Sequence, residues 1–146
     1  MATITTSGYP ATRYHPLPLA DLSVRAERER LSPPALRSFF NIMARWKVRD
    51  EDARVLLGGV SNGPFYEMKK NPERILEPDR LLRISYLVGI FKALNVLYSE
   101  KLADEWMRLP NSNVIFAGQT PLAYLIGGGQ PAMQVVRRLL DARRAG

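Results

Sequence analysis

The sequence contains no cysteine and a single histidine, His15. The first absence removes disulfides and thiolate metal sites. The second leaves no paired-histidine metal motif, and His15 itself sits in a Tyr-His-Pro-Leu-Pro stretch that reads as part of an arm. Long apolar runs are also missing. The longest, around Tyr86–Phe91, falls far short of the ~20 residues that span a bilayer. The first residues show no basic-then-apolar leader pattern, and a cytoplasmic location is the expectation. There is no phosphate-binding glycine loop and no nucleophile elbow. The cluster Gly127-Gly128-Gly129 lies between two helical stretches rather than after a strand. No catalytic residue, metal or cofactor is expected, and the protein reads as a non-enzyme.

What is present is a chain of 146 residues, 46% hydrophobic and 24% charged, enough for one compact domain or two small subdomains sharing a core. Lysine and arginine number 21 against 14 acidic residues, a net charge of +7. Such a balance suits nucleic acid or an acidic partner surface. The excess is spread along the chain, with 12 basic and 8 acidic groups in residues 1–76 and 9 and 6 in residues 77–146. Only the C-terminus concentrates it, where Arg137, Arg138, Arg143 and Arg144 face the single Asp141.

Periodicity predicts an all-α protein. Residues 1–31 read as a flexible or partly helical arm, with a short solvated helix over Ala20–Arg30. Ser32 is a candidate N-cap, followed by Pro33 and Pro34 in a first turn and by an apolar stripe of Leu36, Phe39, Phe40, Met43 and Trp46. A short helix from Asp50 to Leu57 and another from Ser61 to Lys70 flank Gly58-Gly59. The stripe Leu81, Ile84, Leu87, Val88, Phe91 and Leu94 marks a central helix. Ser99 caps the next helix, which carries Trp106; Thr120-Pro121 starts a short one, and Pro131 opens the last after the glycine cluster. Asn113–Phe116 is the sole extended candidate.

Residues 50–70 fit a helix-turn-helix: two short helices, a glycine turn, and a second helix with a polar outer face. Val60 would plug the interhelical angle, and Pro64, Phe65 and Met68 would face the core. Ser61, Asn62, Gly63, Tyr66, Glu67, Lys69 and Lys70 are then the candidate DNA-binding residues. Asn62 and Glu67 suit base edges; Ser61, Tyr66, Lys69 and Lys70 suit phosphates. Val-Ser-Asn followed by an aromatic and Lys-Lys resembles the Xre type of helix-turn-helix, with a Gly-Gly-Val-Ser turn one residue longer than usual.

The stretch Leu81-Leu82-Arg83-Ile84-Ser85-Tyr86-Leu87-Val88-Gly89-Ile90-Phe91-Lys92-Ala93-Leu94, then Pro110-Asn111-Ser112-Asn113, Phe116-Ala117-Gly118-Gln119-Thr120-Pro121-Leu122 and Val136-Arg137-Arg138-Leu139-Leu140-Asp141-Ala142-Arg143, closely resembles antitoxins of the Xre/MbcA/ParS family. With the helix-turn-helix, the resemblance covers about residues 32–146. It implies a helix-turn-helix domain over 32–76 and a toxin-binding domain over 77–146. The implied partners are a cognate RES-domain toxin that consumes NAD or transfers ADP-ribose, and operator DNA. The implied assembly is a homodimer or a toxin–antitoxin hetero-oligomer, with no membrane. The candidate toxin contacts are Asn111, Asn113, Arg137, Arg138, Arg143, Arg144, Ala145 and Gly146. The chain departs from the family at Ala117-Gly118, often two glycines, and at Arg143, often an aromatic. The alternative is a stand-alone transcriptional regulator whose C-terminal half only dimerises it; an adjacent toxin gene separates the two.

Overall fold

A computed structural model of the protein describes residues 20–146; the earlier part of the expected arm, His15 included, lies outside the described residues. In order come α1 (Arg25–Arg45), α2 (Asp50–Leu56), α3 (Asn62–Lys70), α4 (Pro78–Leu97), α5 (Glu100–Glu105) and α6 (Pro121–Ala145), with 3₁₀ turns at Trp106–Arg108 and Val114–Phe116. No strand occurs among the described residues, and the protein is all-α. Asn113–Phe116 is not extended, because the Asn113 side chain accepts a hydrogen bond from Ile115 N (3.1 Å) and curls the chain into its 3₁₀ turn.

Ser32 is not an N-cap. The helix begins seven residues earlier and runs unbroken through Pro33 and Pro34, so the expected break between residues 31 and 32 lies inside α1. Prolines inside a helix leave the carbonyls four residues back without donors. Here those carbonyls belong to Glu29 and Arg30, both exposed, so water can serve them. Ser32 is fully buried instead. Its Oγ donates to Arg28 O (2.6 Å) and accepts from Leu76 N (2.8 Å), which ties the α3–α4 connection to α1. Ser32→Ala leaves a buried N–H without a partner and should cost about 1–3 kcal/mol in denaturant unfolding. A loss under about 0.5 kcal/mol would show that Leu76 N finds another acceptor.

The strongest apolar stripe becomes the centre of the molecule. α4 buries Leu81, Ile84, Leu87, Ile90, Ala93 and Leu94 and packs against α1, α5 and α6. One contiguous core runs from Leu36 in α1 through Phe65, Leu87 and Phe116 to Leu140 in α6. α2 also packs on α6, so the N-terminal and C-terminal halves of the chain meet directly. Within α6, Gly129 leaves helical geometry (φ 63°, ψ −145°), and the helix kinks between the Pro121 and Pro131 segments. That is where the sequence places the break.

Candidate functional site

Two surfaces collect the residues expected to bind partners. The first is built on α2 and α3. Gly58 (φ 102°) and Gly59 (φ 87°) take left-handed backbone conformations that other residues resist. They let the chain reverse between the helices while Val60 stays buried. Phe65 and Met68 turn inward, Phe65 meeting Phe40 edge-on at 5.4 Å. Pro64, expected in the core, is exposed instead. It falls in the first turn of α3, where a missing N–H costs nothing and the residue need not face inward. Ser61, Asn62, Gly63, Tyr66, Glu67, Lys69 and Lys70 are all exposed. Ser61 holds the N-cap position of α3, although its side chain makes no capping hydrogen bond. Lys69 and Lys70 lie in the last turn, where cations complement the helix dipole.

Sequence periodicity gives no hint of how this face is wired. Tyr66 OH donates to Asp50 Oδ2 (3.1 Å), and Lys69 Nζ bonds Asp50 Oδ1 (3.0 Å). The Lys69 hydrogen bond, with that of Tyr66 and the nearby positive charge, holds the Asp50 carboxyl below the usual carboxylate range. Arg49 is engaged likewise, with Glu51 at 3.1 Å and Asp52 at 3.2 Å.

The second surface lies at the end of α6. Asn111 accepts from Asn113 N (2.9 Å), and Asn113 from Ile115 N, so both asparagine side chains shape the loop. Phe116 anchors that loop, fully buried between Trp106 (6.0 Å) and Tyr124 (5.3 Å) in edge-on stacks. Ala117 takes a left-handed conformation (φ 49°) beside Gly118 (φ 83°), a strain of about 1 kcal/mol that glycine would avoid. An open cleft of about 280 Å³ brings Asn111 and Arg143 together with Tyr98, Trp106, Leu109, Pro110 and Ser112. Arg143 Nη1 donates to Tyr98 OH (3.2 Å). Neither Tyr98 nor the 89%-exposed Val114 is among the expected contacts. No local pattern marks Tyr98, 45 residues away from Arg143 in the chain.

The four arginines differ. The Arg137 guanidinium sits against Gly89 of α4, where any Cβ would collide with it, and its Nε donates to Asp141 (3.1 Å). It acts in the α4–α6 seam as well as at the surface. Arg138, Arg143 and Arg144 are exposed, as are Ala145 and Gly146, and Arg144 reaches Asp141 only at 3.9 Å. The chain therefore ends in an accessible, arginine-rich helical turn.

Residues 92–146 match the family described as antitoxin Xre/MbcA/ParS C-terminal toxin-binding domain. Over 115 residues the chain is 36% identical to the uncharacterized protein y4oB of Sinorhizobium fredii (strain NBRC 101917 / NGR234), covering 78% of this chain and 87% of that protein. The chain belongs to the family of proteins that carry the Xre/MbcA/ParS antitoxin C-terminal domain. No solved structure matches it. The antitoxin domain begins in the last turns of α4 and includes α5, the Asn111–Asn113 loop and all of α6. The cleft and the arginine-rich end of this antitoxin-family chain fall wholly within it, whereas α2 and α3 lie before it. A toxin-binding domain implies a toxin partner. No described helix is long and apolar enough to cross a membrane.

Proposed function

We propose that this protein is the antitoxin of a type II toxin–antitoxin pair, a non-catalytic protein that occludes the active site of a RES-domain, NAD-consuming or ADP-ribosylating toxin. The observation that carries the reading is the toxin-binding-domain match over residues 92–146, which ends on an exposed arginine pair. Carboxylates at the mouth of the toxin's NAD cleft would be the groups that the exposed arginines of this chain meet. Arg143 and Arg144 can enter such a cleft as planar bidentate donors, with Arg138 on the flank and Ala145 and Gly146 adding little bulk. Asn111 and Asn113 act by holding the loop beside the cleft. The direct test is NAD consumption by the purified partner, which this chain should silence at a stoichiometric ratio. Undiminished consumption would reject the reading.

The same proposal gives residues 32–76 the role of an Xre-like helix-turn-helix through which the antitoxin, alone or with toxin, represses its own operon. Exposure of Ser61, Asn62, Gly63, Tyr66, Glu67, Lys69 and Lys70 around a glycine turn supports it. One copy offers few cations to phosphate, so specific binding calls for a homodimer or a toxin–antitoxin hetero-oligomer. Lys69→Ala with Lys70→Ala should lower operator affinity and reduce the salt slope by about two, with toxin neutralisation unchanged. Loss of both activities together would argue against two separate surfaces.

A further inference from the structure

We propose that Asp50 is a built-in competitor for DNA phosphate on the α2–α3 face, and that it sets the affinity and salt dependence of nucleic-acid binding there. The inference rests on reading that face as DNA-binding. Both carboxylate oxygens of Asp50 are committed to α3, one to Tyr66 OH and one to Lys69 Nζ. Those are two of the donors that a phosphate would need. A duplex approaching α3 must therefore displace Asp50 or do without Tyr66 and Lys69.

Charge on the rest of the face strengthens the point. Asp50, Glu51 and Asp52 fill the first turn of α2, and Glu67 lies exposed on α3. Arg49, the cation that precedes α2, is held by Glu51 and Asp52. A helix-turn-helix of this make-up has little net positive field, although the chain as a whole carries +7. The latch is nevertheless easily opened. The Asp50 and Lys69 side chains are 39% and 46% exposed, and surface ion pairs of this kind are weak in water. Non-specific attraction is thus suppressed, while a site whose base contacts hold α3 in place can still expel the carboxylate. The latch shifts binding from charge toward sequence.

Two substitutions separate this contact from plain charge removal. Asp50→Asn neutralises the group that holds α3; Glu51→Gln neutralises its neighbour, which pairs with Arg49 instead. The experiment is fluorescence anisotropy of a short mixed-sequence DNA duplex with the full-length chain across a salt series. Asp50→Asn should bind about 5–10-fold tighter at low salt with a slope steeper by about one, and Glu51→Gln should change affinity less than about 2-fold. In a Tyr66→Phe, Lys69→Met background, where Asp50 has lost both partners on α3, the two substitutions should become equivalent. Asp50→Ala, which removes the hydrogen bonds altogether, should repeat the gain and so exclude an effect of the introduced amide on the start of α2. Equal gains from Asp50→Asn and Glu51→Gln, or no gain, would overturn the inference and leave the DNA-binding face standing. If neither wild type nor variant binds at the lowest salt, the reading of the face falls and the inference with it.

Discussion

If the proposed function holds, removing Arg143–Gly146 should release the toxin while leaving the chain folded and its α2–α3 surface untouched. The deleted residues are all exposed, and the only hydrogen bond that the Arg143 side chain makes among the described residues goes to Tyr98 OH, at a half-buried surface position. The last fully buried anchor of α6 is Leu140, which the deletion spares. Unfolding free energy should therefore move by less than about 1 kcal/mol, the usual range for surface changes. Neutralisation should fall by far more. Two arginines that enter a charged cleft as bidentate donors contribute about 2–5 kcal/mol each to such a contact, or a loss of affinity of roughly 1,000-fold or more together. The check is NAD turnover by the toxin titrated with the full and shortened chains. A shortened chain that still silences the toxin at equal stoichiometry would show that the helix faces, not the end, do the masking.

The second large effect concerns the core. Phe116→Ala should cost about 3–5 kcal/mol, because a fully buried ring stacked on Trp106 and Tyr124 is replaced by a cavity. Its reach is the more telling part. Residue 116 lies in the loop between α5 and α6, yet the core is contiguous from Leu36 to Leu140 and α2 rests on α6. The lesion should therefore lower the stability of both halves as one transition. The two tryptophans report separately, Trp46 at the end of α1 and Trp106 after α5. In single-tryptophan variants of the Phe116→Ala chain, both signals should shift to the same denaturant midpoint. A Trp46 midpoint that stays at its original value would mean that the N-terminal helices fold as an independent unit.

Legibility in the sequence followed the range of the interactions. Phe65 and Met68 inward, Tyr66 and Lys70 outward, the glycine turn and the break at Gly129 all depend on spacing within a few residues, and each appears where the pattern places it. Ser32 failed as a cap because its decisive partner, Leu76 N, is 44 residues away. A serine followed by two prolines is a sound local start signal, and the tertiary bond together with the exposed positions of Glu29 and Arg30 explains why α1 passes through it. Arg137 reads as one of four similar tail cations until Gly89 supplies the gap on α4 that receives its guanidinium. The Asp50 latch spans 16 and 19 residues and joins two helices, beyond the reach of any helical repeat. Candidate contacts in the tail follow from the family resemblance alone, since exposed arginines at a helix end carry no partner's name.

The measurement that bears most directly on the antitoxin reading is a tagged pull-down from native cells, with the captured protein identified by mass spectrometry and assayed for NAD consumption before and after separation. One near-stoichiometric partner is expected, silent in the complex and NAD-consuming once freed. A chain recovered alone, or with DNA and no such partner, would contradict that reading and leave a stand-alone regulator in its place.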